Sequence, residues 1–174
     1  MRSLISPRLL LREWEDKDTD FIFDMYSRPE VVRYLGSNPQ VLRDRAEALA
    51  KLASWRDRQD DVHAIWAIQD RRSGHLLGTA LLVRLLASGD PPQPAEETEV
   101  GWHLHPDAWG NGYATEAANA VLAYAARMGV PTVLAVTWPE NTASQAVCRR
   151  LGMRHLGQTD RYYNMTCELF TNET

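Results

Sequence analysis

The sequence has few cysteines, no long apolar run and no surplus of positive charge. Its two cysteines, Cys148 and Cys167, lie far apart and have no Cys or His partners at zinc spacing. We therefore expect reduced thiols, with neither a disulfide framework nor a metal site. The net charge of −4 leaves no excess of lysine and arginine to displace the counterions of a polyanion, so nucleic acid is not an expected partner.

Apolar residues make up 44% of the sequence, but charged residues interrupt them throughout. No run approaches the roughly 18 residues that a membrane-spanning helix needs. Met1 to Arg12 has neither an apolar central region nor a small-residue cleavage site and does not resemble a signal peptide. We expect a cytoplasmic protein with no membrane association and, at this length, a single domain over residues 1–174.

The hydrophobic pattern predicts a mixed α/β sheet with flanking helices. Strands are expected at 4–14, 63–69, 76–86, 98–105, 132–137, 153–157 and 162–170, and helices at 16–29, 42–58, 113–129 and 141–152. The segment from Ser88 to Glu97 carries three prolines. It is expected to be a loop and is the best candidate for local disorder.

The segment from Asp107 to Glu116 joins a predicted strand to a predicted helix and contains Gly110 and Gly112. A helix start offers free N–H groups and the positive end of the helix dipole, which favour phosphate. Glycine lets the backbone approach an anion closely. The segment therefore predicts an anion site, although a turn that needs small residues would show the same pattern. Neither a dinucleotide fingerprint nor a nucleoside-triphosphate loop fits its spacing.

Residues 109–117 have the sequence Trp-Gly-Asn-Gly-Tyr-Ala-Thr-Glu-Ala. This stretch resembles the acyl-CoA signature of the GNAT superfamily of N-acetyltransferases, in the form typical of the ribosomal-protein alanine acetyltransferase (RimJ/RimL-like) branch. The resemblance extends over nearly the whole chain, through Ser6 to Arg12, Glu99 to Trp102, Asn141 to Ser144 and Leu151 to Met153. The sequence departs from the wider family at Trp109, where Gln or Arg is usual, and at Met153, where Phe is usual.

The resemblance implies the GNAT fold, with a central, mostly antiparallel sheet, and acetyl-CoA as co-substrate without a metal. It implies an enzyme in which a primary amine attacks the thioester within a ternary complex, with no covalent enzyme intermediate. The acceptor would be a protein N-terminus or a small-molecule amine, and a homodimer is compatible with the family. The alternatives are another acyl donor such as succinyl-CoA, or a non-catalytic acyl-CoA-binding regulatory or interaction module.

The resemblance also assigns residues to the cofactor. The pyrophosphate would bind the backbone around Gly110, Gly112 and Ala114, and the splayed fourth strand of the family would offer its free N–H groups to pantetheine. The full set of expected cofactor-binding residues is Trp102, His103, Leu104, Trp109, Gly110, Asn111, Gly112, Tyr113, Ala114, Thr115 and Asn141.

Three residues are candidates for catalysis. Glu99 is the candidate general base, acting directly or through water, although a strand carboxylate can also be merely solvated or ion-paired. Asn141 and Ser144 are ordinary capping residues at a helix start. The resemblance adds that Asn141 contacts pantetheine or orients a water, and that Ser144 donates towards the leaving sulfur.

Other reactive side chains are assigned structural roles. His103 and His105 alternate with Glu99 along an ideal strand, but lone strand histidines are more often packed or solvated. Tyr162 and Tyr163 could suggest the late tyrosine acid of some relatives, but their spacing does not support it, and we place both on a strand.

Cys148 has no neighbouring histidine that would make it a nucleophile. Trp102 and Trp138 are expected to be core aromatics that could wall an acceptor pocket.

Overall fold

The computed structural model describes residues 3–173, which form eight strands and five α-helices. The strands are β1 (Leu4–Ile5), β2 (Leu9–Arg12), β3 (Ala64–Asp70), β4 (Leu76–Ala87), β5 (Gln93–Leu104), β6 (Leu134–Thr137), β7 (Arg154–Thr159) and β8 (Cys167–Thr171). The helices are α1 (Thr19–Tyr26), α2 (Pro29–Val32), α3 (Arg45–Asp57), α4 (Tyr113–Arg127) and α5 (Thr142–Arg150). Within these residues, no helix is both long and apolar enough to cross a bilayer.

All eight strands form one sheet in the order β1-β2-β3-β4-β5-β6-β8-β7. Neighbouring strands are antiparallel except β5 and β6, which run parallel and share one residue pair, Glu99 with Leu134. The expected mixed α/β, mostly antiparallel sheet is confirmed. The single pair means that β5 and β6 diverge beyond Glu99.

The two faces of the sheet bury different helices because side chains alternate along each strand. Trp66, Leu82 and Val100 face α4, whose small and apolar residues form a buried stripe. On the opposite face, Ile65, Ala67 and Val83 pack against α1 and α3. These two cores hold β3, β4 and β5 between helical layers and fix the register of β5.

Some predicted boundaries were wrong. The expectation of a disordered loop at 88–97 fails because β5 already begins at Gln93 and pairs with the end of β4. A bulge between Arg84 and Leu86 accommodates Pro94, which cannot donate to the ladder. The first predicted strand is two strands, β1 and β2, joined by a tight turn in which the Ser6 N–H donates to the Leu9 carbonyl at 2.9 Å.

Candidate active site

The turn before α4 has an unusual backbone conformation. Gly110 and Gly112 both have φ of 75°, a left-handed conformation that glycine adopts without steric cost, and Gly112 is the N-cap of α4. The N–H groups of the first helical turn, which begins at Tyr113, have no intrahelical acceptor. A Cβ at Gly110 would meet nothing within 4 Å, so the backbone is open on that side. This arrangement fits a phosphate group.

An ion pair fixes this turn to the N-terminal strands. Arg8 Nε lies 2.6 Å from Glu116 Oε2, and Arg8 Nη1 donates to the Asn111 carbonyl at 3.0 Å. Ser6 Oγ donates to Glu116 Oε1 at 2.7 Å, and the Arg8 guanidinium stacks over the Tyr113 ring. Sequence reasoning noted Ser6 to Arg12 only as a family feature. The structure shows that these residues hold the start of α4 in place.

The side chains of the predicted cofactor loop have distinct structural partners. Trp109 is 48% exposed, and its Nε1 donates to the Leu104 carbonyl at 3.0 Å. Asn111 Nδ2 donates to the Trp109 carbonyl at 2.8 Å, which tightens the turn. Thr115 Oγ1 accepts a hydrogen bond from Arg150 Nε at 3.3 Å, joining α4 to α5.

The divergence of β5 and β6 places two helix starts beside an open strand edge. Between Val100 and Leu104, the β6-facing edge of β5 has no strand neighbour within residues 3–173. Because β5 and β6 are parallel, their carboxyl ends lie at the same edge of the sheet, and α4 and α5 follow them. The contacts that the sequence analysis predicts for Trp102, His103 and Leu104 with a cofactor would use this free backbone edge.

Glu99 lies at the point of divergence and is only 9% exposed. Burial raises the pKa of its carboxyl to about 7, while the Tyr163 hydroxyl and the Arg58 charge oppose part of that rise. The alternative of a solvated or ion-paired strand carboxylate does not match this environment: Glu99 is buried, and within residues 3–173 no cation lies within ion-pair distance. A buried carboxyl that titrates near neutral pH suits general-base chemistry.

Tyr163, which the sequence analysis assigned a structural role on a strand, is the hydrogen-bond partner of Glu99. Its hydroxyl donates a hydrogen bond to Glu99 Oε2. Burial, followed by the Glu99 charge, raises the pKa of Tyr163, so the hydroxyl remains a donor. The predicted strand at 162–170 was wrong at its start, because Tyr163 and Asn164 have φ of 59° and 52° and form a turn before β8.

The turn that carries Tyr163 is anchored to the end of the β4–β5 hairpin. The Tyr163 N–H donates to the Leu86 carbonyl at 2.9 Å, and the Asn164 side chain exchanges two hydrogen bonds with Gly89. Tyr162 Oη instead donates to Glu97 at 3.0 Å. The neighbouring tyrosines therefore bond to two different carboxylates, and only Tyr163 reaches Glu99.

His103 lies on the Glu99 face of β5, and His105 directly follows that strand; both have structural partners, as the sequence analysis favoured. His103 Nδ1 lies 2.8 Å from the Tyr26 hydroxyl, and burial lowers the pKa of His103 to about 3, so its ring is neutral. His105 Nε2 lies 3.0 Å from Asp24 Oδ2. No bulge separates Glu99 from His103, so the strand alternation is unbroken there.

Asn141 and Ser144 lie at the start of α5. Asn141 Oδ1 accepts from the Ser144 N–H at 3.2 Å, which is the capping role. Within residues 3–173, no hydrogen bond joins either side chain to Glu99. Cys148 is buried on the same helix, and burial raises its pKa to about 12, which opposes thiolate chemistry.

Two contacts connect the early and late halves of the chain across this region. Trp138 Nε1 donates to the Gly36 carbonyl at 3.2 Å, and the Tyr34 hydroxyl donates to the Glu140 carbonyl at 3.3 Å. The segment after α2 therefore lies against the loop between β6 and α5. Trp102, by contrast, packs against the core on the α4 side.

Comparison with known proteins identifies the family. A family model described as an acetyltransferase (GNAT) domain matches residues 8–154. This chain belongs to the GNAT acetyltransferase family. It is a GNAT N-acetyltransferase, and such enzymes use acetyl-CoA. The identification of the family from the Trp109 to Ala117 signature is confirmed.

Relatives in Bacillus subtilis resemble this GNAT acetyltransferase along most of their length. The uncharacterized N-acetyltransferase YoaA is 27% identical, with 91% of this chain and 86% of that protein aligned. The uncharacterized protein YkkB is 29% identical, with 98% of this chain and 95% of that protein aligned. Neither name specifies an acceptor.

Solved structures confirm the GNAT fold. An acetyltransferase of the GNAT family from Bacillus anthracis superposes with a TM-score of 0.76 at 23% identity, over 98% of this chain and 96% of that chain. A RimL ribosomal L7/L12 α-N-protein acetyltransferase in complex with coenzyme A superposes with a TM-score of 0.79 at 15% identity, over 98% and 97% of the two chains. At these identities the structures show a shared fold.

Proposed function

We propose that this GNAT acetyltransferase transfers an acetyl group from acetyl-CoA directly to a primary amine, with Glu99 as the general base. The observation that carries the proposal is the position of Glu99, buried where β5 and β6 diverge, with a pKa of about 7. A base with such a pKa is half deprotonated near pH 7 and largely deprotonated in mildly alkaline solution, and it still binds a proton well enough to accept it from an ammonium.

The proposed position of acetyl-CoA follows from the free N–H groups. Its pyrophosphate lies over residues 110–115, where the two left-handed glycines meet the start of α4. Pantetheine then follows the open edge of β5 from Leu104 towards Gly101. A backbone N–H near Trp102 donates to the thioester oxygen and stabilises the negative charge that develops on it.

In the proposed reaction the acceptor ammonium loses two protons. Glu99, directly or through a water, accepts a proton from the acceptor ammonium, and the free amine nitrogen attacks the thioester carbonyl. A new C–N bond forms as the C–S bond breaks. The leaving sulfur takes up the second proton of the nitrogen, through Ser144 or a water, and departs as thiol; where it departs as thiolate, that proton passes to solvent water.

Ser144 and Asn141 have supporting roles in this proposal. The Ser144 hydroxyl is half-buried at the start of α5 and would donate towards the leaving sulfur. Asn141 uses its carbonyl oxygen for the helix cap, which leaves its Nδ2 group to contact pantetheine or to hold a water. Neither group needs to form a covalent bond.

The proposed acceptors are a protein N-terminus or a small-molecule amine, because the RimL structure that shares the fold is named for transfer to a ribosomal protein α-amine. Acetyl is the proposed acyl group, with succinyl-CoA as an alternative donor. A protein that binds acyl-CoA without turnover is the competing function.

Release of free thiol from acetyl-CoA tests the proposal. Purified protein is incubated with acetyl-CoA and a panel of amines and peptides, and intact mass identifies the acylated product. The proposal predicts thiol release that depends on the acceptor and is stoichiometric with product. Binding of acetyl-CoA without release for every acceptor would support the regulatory module instead.

A further inference from the structure

Lys51 stands apart from the other cationic side chains of α3. Arg45 lies 2.7 Å from Asp20, and Arg56 lies 2.8 Å from Asp16, so both arginines within the helix have a carboxylate partner. Lys51 Nζ instead lies 4.5 Å from the centre of the Tyr26 ring and 5.5 Å from that of Trp55. Within residues 3–173, it has no ion pair.

The half-buried ammonium of Lys51 is short of compensating negative charge. Burial, followed by the positive charge of Arg58, lowers its pKa. Aromatic faces attract a cation only modestly compared with a carboxylate. A cation that is partly buried without an anionic partner favours the binding of an anion, which would supply the missing negative charge.

Tyr26 connects Lys51 to the strand that carries Glu99, through a cation–π contact with Lys51 and a hydrogen bond with His103. The Tyr26 ring beneath Lys51 places its hydroxyl 2.8 Å from His103 Nδ1. His103 and Glu99 project from the same face of β5, the face covered by α1 and α3. The four residue steps from Glu99 to His103 span about 13 Å of strand.

Arg58 provides a second unpaired cation on the same side. It is the C-cap of α3, is exposed, and has no ion pair within the part of the chain that the structure describes. Lys51 and Arg58 are separated by two helical turns, about 10 Å, and therefore lie on one face of the helix. The charge of Arg58 opposes the rise in the pKa of Glu99 and that of Tyr163, so it acts at the Glu99 end of this face.

We infer that the acceptor is an amine that also carries a carboxylate, and that Lys51 binds this carboxylate while the amine faces Glu99, with Arg58 adding positive potential on the same helix face. The inference rests on the proposed function and names its substrate class. The proposed acceptors carry the anionic group several bonds from the amine, as in an ω-amino acid or a peptide with acidic residues after its N-terminus. An acceptor with additional positive charge is repelled by both cations.

Matched acceptors test the charge preference. The small-molecule set is 6-aminohexanoate, its neutral carboxamide and 1,6-diaminohexane, which share a primary amine and chain length. The peptide set has an N-terminal alanine followed by two aspartates, two asparagines or two lysines, with an amidated end. We expect the anionic member of at least one set to exceed its neutral counterpart by about tenfold or more in kcat/KM, which corresponds to one charge-assisted contact.

Variants identify the side chain responsible. Lys51→Met removes the charge and retains an unbranched apolar side chain, so it should remove most of the preference by raising KM for the anionic acceptor. The ratio of kcat/KM for the anionic acceptor to that for the neutral acceptor should therefore fall towards one, while calorimetry should show an unchanged Kd for acetyl-CoA. Lys51→Arg should retain the preference. Lys17→Met, a change at an exposed lysine, controls for the loss of net charge.

The outcomes separate this inference from the proposed function. Turnover with equal kcat/KM for anionic and neutral acceptors, or an equal loss for all acceptors in Lys51→Met, overturns the inference and leaves acetyl transfer standing. If no acceptor is turned over, calorimetry measures binding of the same peptides to the CoA-loaded protein. Tighter binding of the aspartate peptide that is lost in Lys51→Met supports the inference, and equal binding overturns it.

Discussion

At the scale of single residues, the environment of Glu99 decides the chemistry. The sequence predicted its strand, and the family resemblance pointed to its role, but neither indicated a pKa near 7. That value depends on burial at the strand divergence, which is a property of the sheet. The partner Tyr163 could not be predicted either, because a left-handed tyrosine in a turn has no sequence signal comparable to glycine.

Tyr163→Phe removes the hydroxyl that donates to Glu99. Because that hydrogen bond stabilises the carboxylate, its loss should raise the pKa of Glu99 further. The acidic limb of kcat/KM should move to higher pH, while the Kd for acetyl-CoA stays unchanged. Tyr162→Phe is the matched control, since its hydroxyl bonds to Glu97. An unmoved limb in Tyr163→Phe would mean that this hydroxyl does not influence the base.

Glu99→Gln should change stability in a pH-dependent way. The pKa of Glu99 is near its ordinary value of 4.5 in the unfolded chain and about 7 in the folded chain. The protonated Glu99 carboxyl therefore carries no penalty on folding below pH 4.5. The free energy of unfolding falls as pH rises from 4.5 through 7, because the folded state holds the proton more tightly than the unfolded chain. At pH 8 the cost in the wild type is at most about 3 kcal/mol, since a tenfold change in acid dissociation is worth about 1.4 kcal/mol.

Thermal unfolding at two pH values measures this effect. Glu99→Gln should have a higher Tm than the wild type at pH 8, and the difference should shrink towards pH 5 because protonated Glu99 is also neutral. Glu97→Gln, which removes a carboxylate paired with Arg161, should show no gain at pH 8. A Tm difference that is independent of pH would show that Glu99 does not titrate between these values.

At the scale of elements, the sequence predicted helix starts best where only a few residue types fit the backbone conformation. The glycines before α4 and the capping Asn141 before α5 predicted both helix starts correctly. The sequence predicted the structure least well at 88–97, where three prolines suggested a loop. There the β4 bulge and the hydrogen bonds between residues 88–89 and 160–164 order the segment, and neither is visible as a local pattern.

Gly112→Val tests the cofactor turn. Valine is strained at φ of 75° and should distort the N–H groups at the start of α4, so acetyl-CoA binding should weaken at least about tenfold. Gly129→Val is the matched control, because Gly129 also has a left-handed φ, of 81°, but follows the opposite end of α4. Both variants should lose similar stability. Equal acetyl-CoA affinities by calorimetry would refute the placement of the pyrophosphate.

At the scale of the whole molecule, the sheet consists of two parts joined weakly at its centre. Strands β1 to β5 form one antiparallel part, and β6, β8 and β7 form the other. They share the single pair between Glu99 and Leu134. A cofactor that occupies the divergence would contact both parts and therefore bind the folded state alone. The mostly antiparallel character of the sheet was expected from the family resemblance, whereas the order of its strands and the length of the β5–β6 pairing were not predicted.

Coenzyme A should consequently raise the Tm. A ligand at 100 times its Kd stabilises the native state by about 2.7 kcal/mol. For a domain of this size, that corresponds to a rise of roughly 5–10 °C. NAD and ATP should raise the Tm far less at the same concentrations. An equal rise with NAD would favour a dinucleotide site over an acyl-CoA site.

The pH dependence of kcat/KM in wild type and Glu99→Gln tests the central claim most directly. With a working acceptor, the wild-type rate should fall on the acidic side with an apparent pKa near 7, as Glu99 becomes protonated. Glu99→Gln should bind acetyl-CoA normally, lose about 10²- to 10⁴-fold in kcat and regain rate only as pH rises and free amine accumulates. A loss below about threefold with an unchanged acidic limb would contradict Glu99 as the base.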